Sequence, residues 1–176
     1  MNPIERLLQL ALDLASALIR GIFGAIGLGM KRAVQPIDVR LGTPDEVIDV
    51  RHAVLRPGRP RETAVFDGDT TPSTRHWVAV QSDRVVGVAS VMSASSPALH
   101  GSPRWQLRGM AVLPELRGAG VGRALVQAIE AEVGEPLWCN ARTSAVPFYQ
   151  RCGWTTVGET FDIEPIGPHA RMISSR

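Results

Sequence analysis

The stretch PELRGAGVGRALVQAIEAEVGEP, residues 114–136, sets three alternating glycines, Gly118, Gly120 and Gly122, at the start of a helical pattern. A strand, a glycine-rich turn and a helix start together make an anion site. The first helical amides have no intrahelical partner, and the helix dipole adds partial positive charge. Glycine permits the left-handed backbone of such a nest and lets a phosphate reach the main chain. Arg117 and Arg123 flank the turn and can add charge. Two nucleotide fingerprints do not fit. The P-loop requires Lys and then Ser or Thr, and neither follows Gly122. The dinucleotide pattern requires glycine where Arg123 stands and an acid about where Arg142 stands. Taken alone, the turn is either a phosphate site or an ordinary tight strand-to-helix connection.

The elements that must position this turn are those of a mixed α/β domain. QPIDVRLGT (35–43) alternates like a strand, and Thr43 before Pro44, Asp45 and Glu46 marks a helix start with Val47, Val50, Val54 and Leu55 on its apolar face. A loop rich in Pro, Gly, Thr and charge runs from 57 to 75. HWVAVQ (76–81) and RVVGVASVMSA (84–94) read as strands joined at Ser82 and Asp83, and RWQLRGMAVLP (104–114) as a further strand. In the helix after the glycines, Val121, Leu125, Ile129 and Val133 mark one face, and Gly134 and Pro136 end it. PLWCNAR (136–142) is a strand. A short helix capped by Thr143 or Ser144 follows and runs to Arg151, with Gly153 behind it. WTTVGETFDI (154–163) and HARMIS (169–174) close the chain as an antiparallel pair. The tryptophans at 77, 105, 138 and 154 are assigned to the core.

A length of 176 residues suits one domain, and 44% hydrophobic against 20% charged residues excludes a disordered chain. A net charge of +2 gives no ground for a nucleic-acid partner. Cys139 and Cys152 are read as reduced thiols of a cytoplasmic protein, and no metal-binding spacing is present. The chain divides into 1–34, an amphipathic apolar N-terminal extension, and 35–176, the α/β domain. In the extension, Glu5, Gln9, Asp13, Ser16 and Arg20 form one polar stripe among Leu, Ile and Ala. Asp13 and Arg20 make it a poor membrane span. Its apolar face calls for cover: lipid in a peripheral membrane contact through residues 1–30, a second copy of the chain in a homodimer, or the domain itself. A leader upstream of a start at Met30 is the remaining account.

MAVLPELRGAGVGRALV, followed about twenty residues on by NARTSAVPFYQRCGW, resembles the GNAT superfamily of acyl-CoA-dependent N-acyltransferases. Arg117, Gly118, Ala119, Gly120, Val121 and Gly122 match its pyrophosphate loop, and Ala145, Phe148, Tyr149, Gly153 and Trp154 its later helix element. The resemblance covers roughly 36–176 and is most specific over 107–156. The tail GETFDIEPIGPHARM also looks like a bacterial subgroup of unassigned substrate. The resemblance implies a central, mostly antiparallel sheet of six to seven strands with one splayed parallel pair and helices on both faces. The pair would be 105–113 and 136–142.

It implies acetyl-CoA as the donor, leaving coenzyme A as product. The pyrophosphate would lie on the amides of 117–123, Arg123 included. The pantetheine arm would run along Met110, Ala111 and Val112, where an amide could polarise the thioester carbonyl. Many relatives carry Asn seven residues before the tyrosine. That position is Arg142 here, with Asn140 two earlier, and both are candidate cofactor contacts. An amine of a small molecule or peptide would attack directly. Tyr149, the chain's one tyrosine, falls where the family places the acid for the leaving thiolate. His169 is the first candidate base, with His76, Glu115 and Glu159 behind it, and Arg108 is a candidate substrate contact. Two other functions stay open: a non-catalytic acyl-CoA-binding module, and a membrane- or partner-docked protein working through residues 1–30.

Overall fold

A computed structural model describes residues 35–96 and 104–175. The expected extension over 1–34 lies outside the described residues. Among them, no helix is long and apolar enough to cross a membrane.

The observed elements follow the expected order: β1 (Asp38–Gly42), α1 (Pro44–Leu55), β2 (Arg75–Gln81), β3 (Arg84–Ser93), β4 (Trp105–Val112), α2 (Val121–Val133), β5 (Leu137–Arg142), α3 (Val146–Arg151), β6 (Thr155–Ile163) and β7 (Gly167–Ile173). Local chemistry explains most boundaries. Thr43 and Glu46 form a reciprocal capping box at α1, with Pro44 in the first turn. Ser82 and Asp83 both take positive φ, 49° and 61°, as a two-residue hairpin turn requires. Gly134 ends α2 in the left-handed conformation. The cap expected at Thr143 or Ser144 is absent. Thr143–Ala145 forms a 3₁₀ turn, and α3 begins at Val146 with no side-chain cap.

The strands form one sheet in the order β1-β2-β3-β4-β5-β7-β6. Every neighbouring pair is antiparallel except β4 and β5. Those two pair only at Trp105 with Leu137 and at Gln106 with Trp138. β7, not β6, lies against β5, so the last strand enters the middle of the sheet. The helices pack on both faces. Gly87 of β3 lies under Val121 and Leu125 of α2. Ser90, three residues on and so on the other face, receives a hydrogen bond from Arg51 of α1. Trp77, Leu107, Leu125, Ile129, Trp154 and Met172 anchor the core. Trp105 differs from the other tryptophans in being half-buried, with its indole N–H on Glu135.

Arg51 is fully buried, which the apolar stripe of α1 conceals. It donates to Asp69 Oδ2 at 2.6 Å and to Ser90 Oγ at 2.6 Å. His76 Nε2 lies 2.8 Å from the Asp69 carbonyl, which can only accept, and its Nδ1 lies 2.5 Å from Ser90 Oγ. The network therefore sets the tautomer: Nε2–H donates and Nδ1 accepts from the serine hydroxyl. This group fastens the 57–75 loop to the sheet. His76 is a structural member of it and does not reach the site described next.

Candidate active site: a cleft where two parallel strands part

Beyond Gln106, β4 and β5 separate and open a cleft of about 780 Å³. β4 bends as it leaves. Gly109 has φ 58°, and Gly109 and Met110 together stand opposite Ala89 of β3, a bulge. A Cβ on Gly109 would come within 2.6 Å of Arg51 Nε, so the strand bends around the buried guanidinium. The edge of β4 that faces β5 is left unpaired along Met110, Ala111 and Val112, which line the cleft.

The glycine turn sits at one end. Gly118 and Gly120 have φ 83° and 88°, and Gly120 caps α2 without a side-chain hydrogen bond. A Cβ on either would meet nothing within 4 Å, so open space lies above this backbone. Gly122 is glycine for another reason: a Cβ there would come within 3.0 Å of the Phe148 ring. The expected run of free amides from 117 to 123 is narrower. The Arg117 amide bonds the Pro114 carbonyl and the Ala119 amide that of Leu116, which leaves the amides of Gly118, Gly120 and the first helical turn, Val121 to Arg123. Ala119 and the Val121 side chain do not line the cleft, and Val121 is buried in the core.

Tyr149 lies on the α3 wall, packed between Phe148 and Trp154 at ring distances of 5.0 and 5.1 Å. Its hydroxyl points to Met110 Sδ at 3.5 Å, across the opening of β4. Burial, and secondarily Cys139, push the phenol well above its ordinary range, so it holds its proton. Burial likewise pushes the Cys139 thiol up to about 12, which removes it as a nucleophile.

Asn140 lines the cleft, and its buried Oδ1 has no hydrogen-bond partner among the described residues. Arg142 lines it too, donating to the Leu55 carbonyl at 3.2 Å. His169 stands beside Arg142 in the β5–β7 register, and its Nδ1 is 2.7 Å from the Gly167 carbonyl. Arg108 donates to the Asp67 carbonyl at 2.7 Å. Of the four base candidates, His169 alone lines the cleft. Glu115 is exposed and pairs with Arg84, and Glu159 lies on the outer strand β6.

Among the further residues that line the site, sequence reasoning missed Arg56, Phe66 and Arg151. Arg56 had a signal, as a cation just past the end of α1; Phe66 had none inside a polar loop. With them the electrostatics become clear. Arg56, Arg108, Arg117, Arg123, Arg142 and Arg151 all line the cleft, and no Asp or Glu among the described residues does. None of these arginines enters an ion pair among the described residues.

A phosphate-bearing, extended ligand fits this chemistry: free helix-start amides, uncapped glycines under open space, unneutralised guanidiniums and a strand edge lacking a partner. Residues 60–167 match the acetyltransferase (GNAT) domain family, and the chain belongs to that family. It is 30% identical over 143 residues to YitI of Bacillus subtilis (strain 168), an uncharacterized N-acetyltransferase, covering 79% of this chain and 96% of YitI. Among solved structures it is similar to Escherichia coli ElaA, with a TM-score of 0.63 at 21% identity, covering 80% of this chain and 100% of that one. An aminoglycoside 6'-N-acetyltransferase complexed with coenzyme A gives a TM-score of 0.61 at 15% identity, covering 78% and 96%. At those identities the structural likeness is one of fold.

Proposed function

We propose that the protein transfers an acetyl group from acetyl-CoA to a primary amine of a small molecule or peptide by direct attack, with Tyr149 as the acid. The observation that carries this is the Tyr149 hydroxyl, kept protonated by burial, against Met110 where β4 and β5 part. The first-turn amides of α2 with Arg117 and Arg123 would hold the donor's phosphates, and the free edge of β4 its extended arm. Acetyl-CoA supplies an acyl carbon already activated by its thiol leaving group. Tyr149 would deliver the proton from its hydroxyl to that sulfur. His169 suits the role of base: its Nδ1–H is directed to the Gly167 carbonyl, so Nε2 carries the lone pair.

Two measurements test this reading. Coenzyme A at a hundredfold excess over its Kd is expected to stabilise the fold by about 2.7 kcal/mol, visible in a melting curve, whereas NAD and ATP are not. Thiol release from acetyl-CoA with a panel of amines is expected to show turnover. Stabilisation by ATP with none by coenzyme A would overturn the donor. Binding without turnover across the panel would make the protein an acyl-CoA-binding module instead.

A further inference from the structure

The six arginines of the cleft fall into two groups. Arg117, Arg123 and Arg151 belong to the glycine turn, α2 and α3, where the donor's phosphates are placed above. Arg56, Arg108 and Arg142 gather instead at the end of α1 and under the 57–75 loop, on the opposite face of the sheet. We propose that these three guanidiniums hold an anionic group of the acceptor, so that the substrate is an amine carrying its own carboxylate or phosphate. This rests on the N-acetyltransferase reading and adds the substrate class to it.

The three cations are linked through shared partners. Arg56 Nη1 and Arg142 Nη2 donate to the same atom, the Leu55 carbonyl oxygen, at 3.0 and 3.2 Å. The guanidiniums of Arg56 and Arg108 lie 5.1 and 5.3 Å from the centre of the Phe66 ring. All the partners that hold them are neutral: carbonyls of Leu55, Thr63 and Asp67, the sulfur of Met92 and the Phe66 ring. Such partners position a guanidinium without cancelling its charge. Arg51 supplies the internal contrast. It lies 4.5 Å from the same ring but is neutralised by Asp69 at 2.6 Å.

The fold therefore pays electrostatic repulsion to bring three like charges to one end of a cleft that no carboxylate of the described residues lines. The Arg56 guanidinium is held below its ordinary range by burial, and then by Arg142, Arg59 and Arg51. An anion between the three relieves both effects, and a planar guanidinium fork matches carboxylate and phosphate geometry. The same cations favour the uncharged form of a nearby amine, which is the form that attacks. A polyamine or a basic peptide would bring further positive charge where no acid receives it.

The test uses the full-length protein and steady-state thiol release from acetyl-CoA. Matched amines are compared: an amino acid and an aminoalkyl phosphate, each against the same amine without its acid, with spermidine as the basic arm. We expect kcat/KM for the anionic amines to exceed that of their stripped counterparts by about tenfold or more. The carboxylate and phosphate arms identify the anion. Arg56→Gln and Arg108→Gln are each expected to lower that ratio about tenfold, mainly through KM. Arg108→Lys should recover part of it, and Arg108→Glu should turn the preference toward spermidine. Melting curves with coenzyme A run alongside report that each variant is folded and binds the donor. A preference for spermidine or stripped amines in the parent protein, or an unchanged ratio in both Gln variants, overturns the inference. Loss of the coenzyme A shift in the parent protein would instead strike the donor assignment beneath it.

Discussion

The two sides of the β4–β5 opening are built from the same residue types and put them to opposite uses. On the α1 side, Gly109 has a positive φ where a Cβ would come within 2.6 Å of the buried Arg51 guanidinium, and Asp69 cancels that arginine's charge. On the α2 side, Gly118 and Gly120 take the same backbone region with nothing near, and the flanking Arg117 and Arg123 lack a carboxylate. A positive-φ glycine filled by its own protein is a packing device; one under open space leaves room for something else. The same holds for arginine: neutralised charge builds the fold, and unneutralised charge waits for a ligand. Substitutions at Arg51 and Gly109 should therefore cost stability, and those at the open glycines and unneutralised arginines should cost function.

The largest separation should come from Tyr149→Phe. The phenol packs between two rings and its hydroxyl meets only sulfur partners, Met110 and Cys139, so the fold loses little. Turnover should fall by roughly 10- to 10⁴-fold, general acid catalysis being typically worth 10² to 10⁴, while the coenzyme A melting shift persists. A turnover number unchanged where chemistry limits the rate would take Tyr149 out of the mechanism.

Arg51→Ala should do the reverse. It leaves Asp69 as an uncompensated buried charge, a change that typically costs about 3–5 kcal/mol, read by urea unfolding. Asp69 also accepts the Phe66 amide at 2.8 Å, so the 57–75 loop should loosen with it and become accessible to protease. A loss under about 1 kcal/mol would mean that the Arg51 network does not secure the loop.

Gly120→Glu places a carboxylate on the open backbone. The coenzyme A stabilisation of about 2.7 kcal/mol at hundredfold excess should vanish. The free protein should lose only the strain of a non-glycine residue at φ 88°, about 1–2 kcal/mol. An intact shift would remove the turn from donor binding.

Smaller still at neutral pH is Cys139→Ala. The folded thiol is pushed from 9.0 up to about 12, so between pH 9 and 12 the unfolded chain releases a proton that the folded chain keeps. Stability from this group is whole below pH 9 and drains away as pH rises toward 12. The alanine variant should start about 1 kcal/mol lower but lose less over that window. Parallel curves for the two proteins would show that Cys139 does not titrate in that window.

Element order was legible because most starts and stops are local chemistry: the Thr43 box, the Ser82 and Asp83 turn, the Gly134 stop. The parting of β4 and β5 was legible only through the resemblance. What stayed hidden depends on contacts distant in sequence. Arg51 looks like a solvated helix residue until Asp69 and Ser90 come in from 18 and 39 residues away. Gly109 sits in an ordinary strand pattern, and only the fold shows that a side chain there would run into that arginine. His76 offers a titratable ring on paper and is committed to Asp69 and Ser90 in the fold. The charge of the site was masked in a different way. A net +2 averages over the whole chain, whereas among the described residues no Asp or Glu lines the cleft.

The smallest effect expected is none at all, from deleting residues 1–34. Among the described residues, every one that lines the cleft lies between Val54 and His169, and every strand and helix starts at Asp38 or later. A chain beginning at Gln35 is therefore proposed to fold, to keep the coenzyme A melting shift and to keep its turnover number. The deleted sequence is an amphipathic stretch in which Leu, Ile and Ala surround one polar stripe, a composition that helps nothing in solution unless it is covered. At about 25 cal/mol per Å² of apolar area, a few leucines would hold such a segment against lipid, a second copy or the domain. The outcomes separate these covers. A soluble, active truncated protein beside a full-length protein that floats with liposomes would mark a membrane tether. A change from dimer to monomer on truncation, with no flotation, would mark a second copy as the cover. A truncated chain that is insoluble or fails to melt cooperatively would show that the domain boundary at residue 35 is wrong and that the extension belongs to the core.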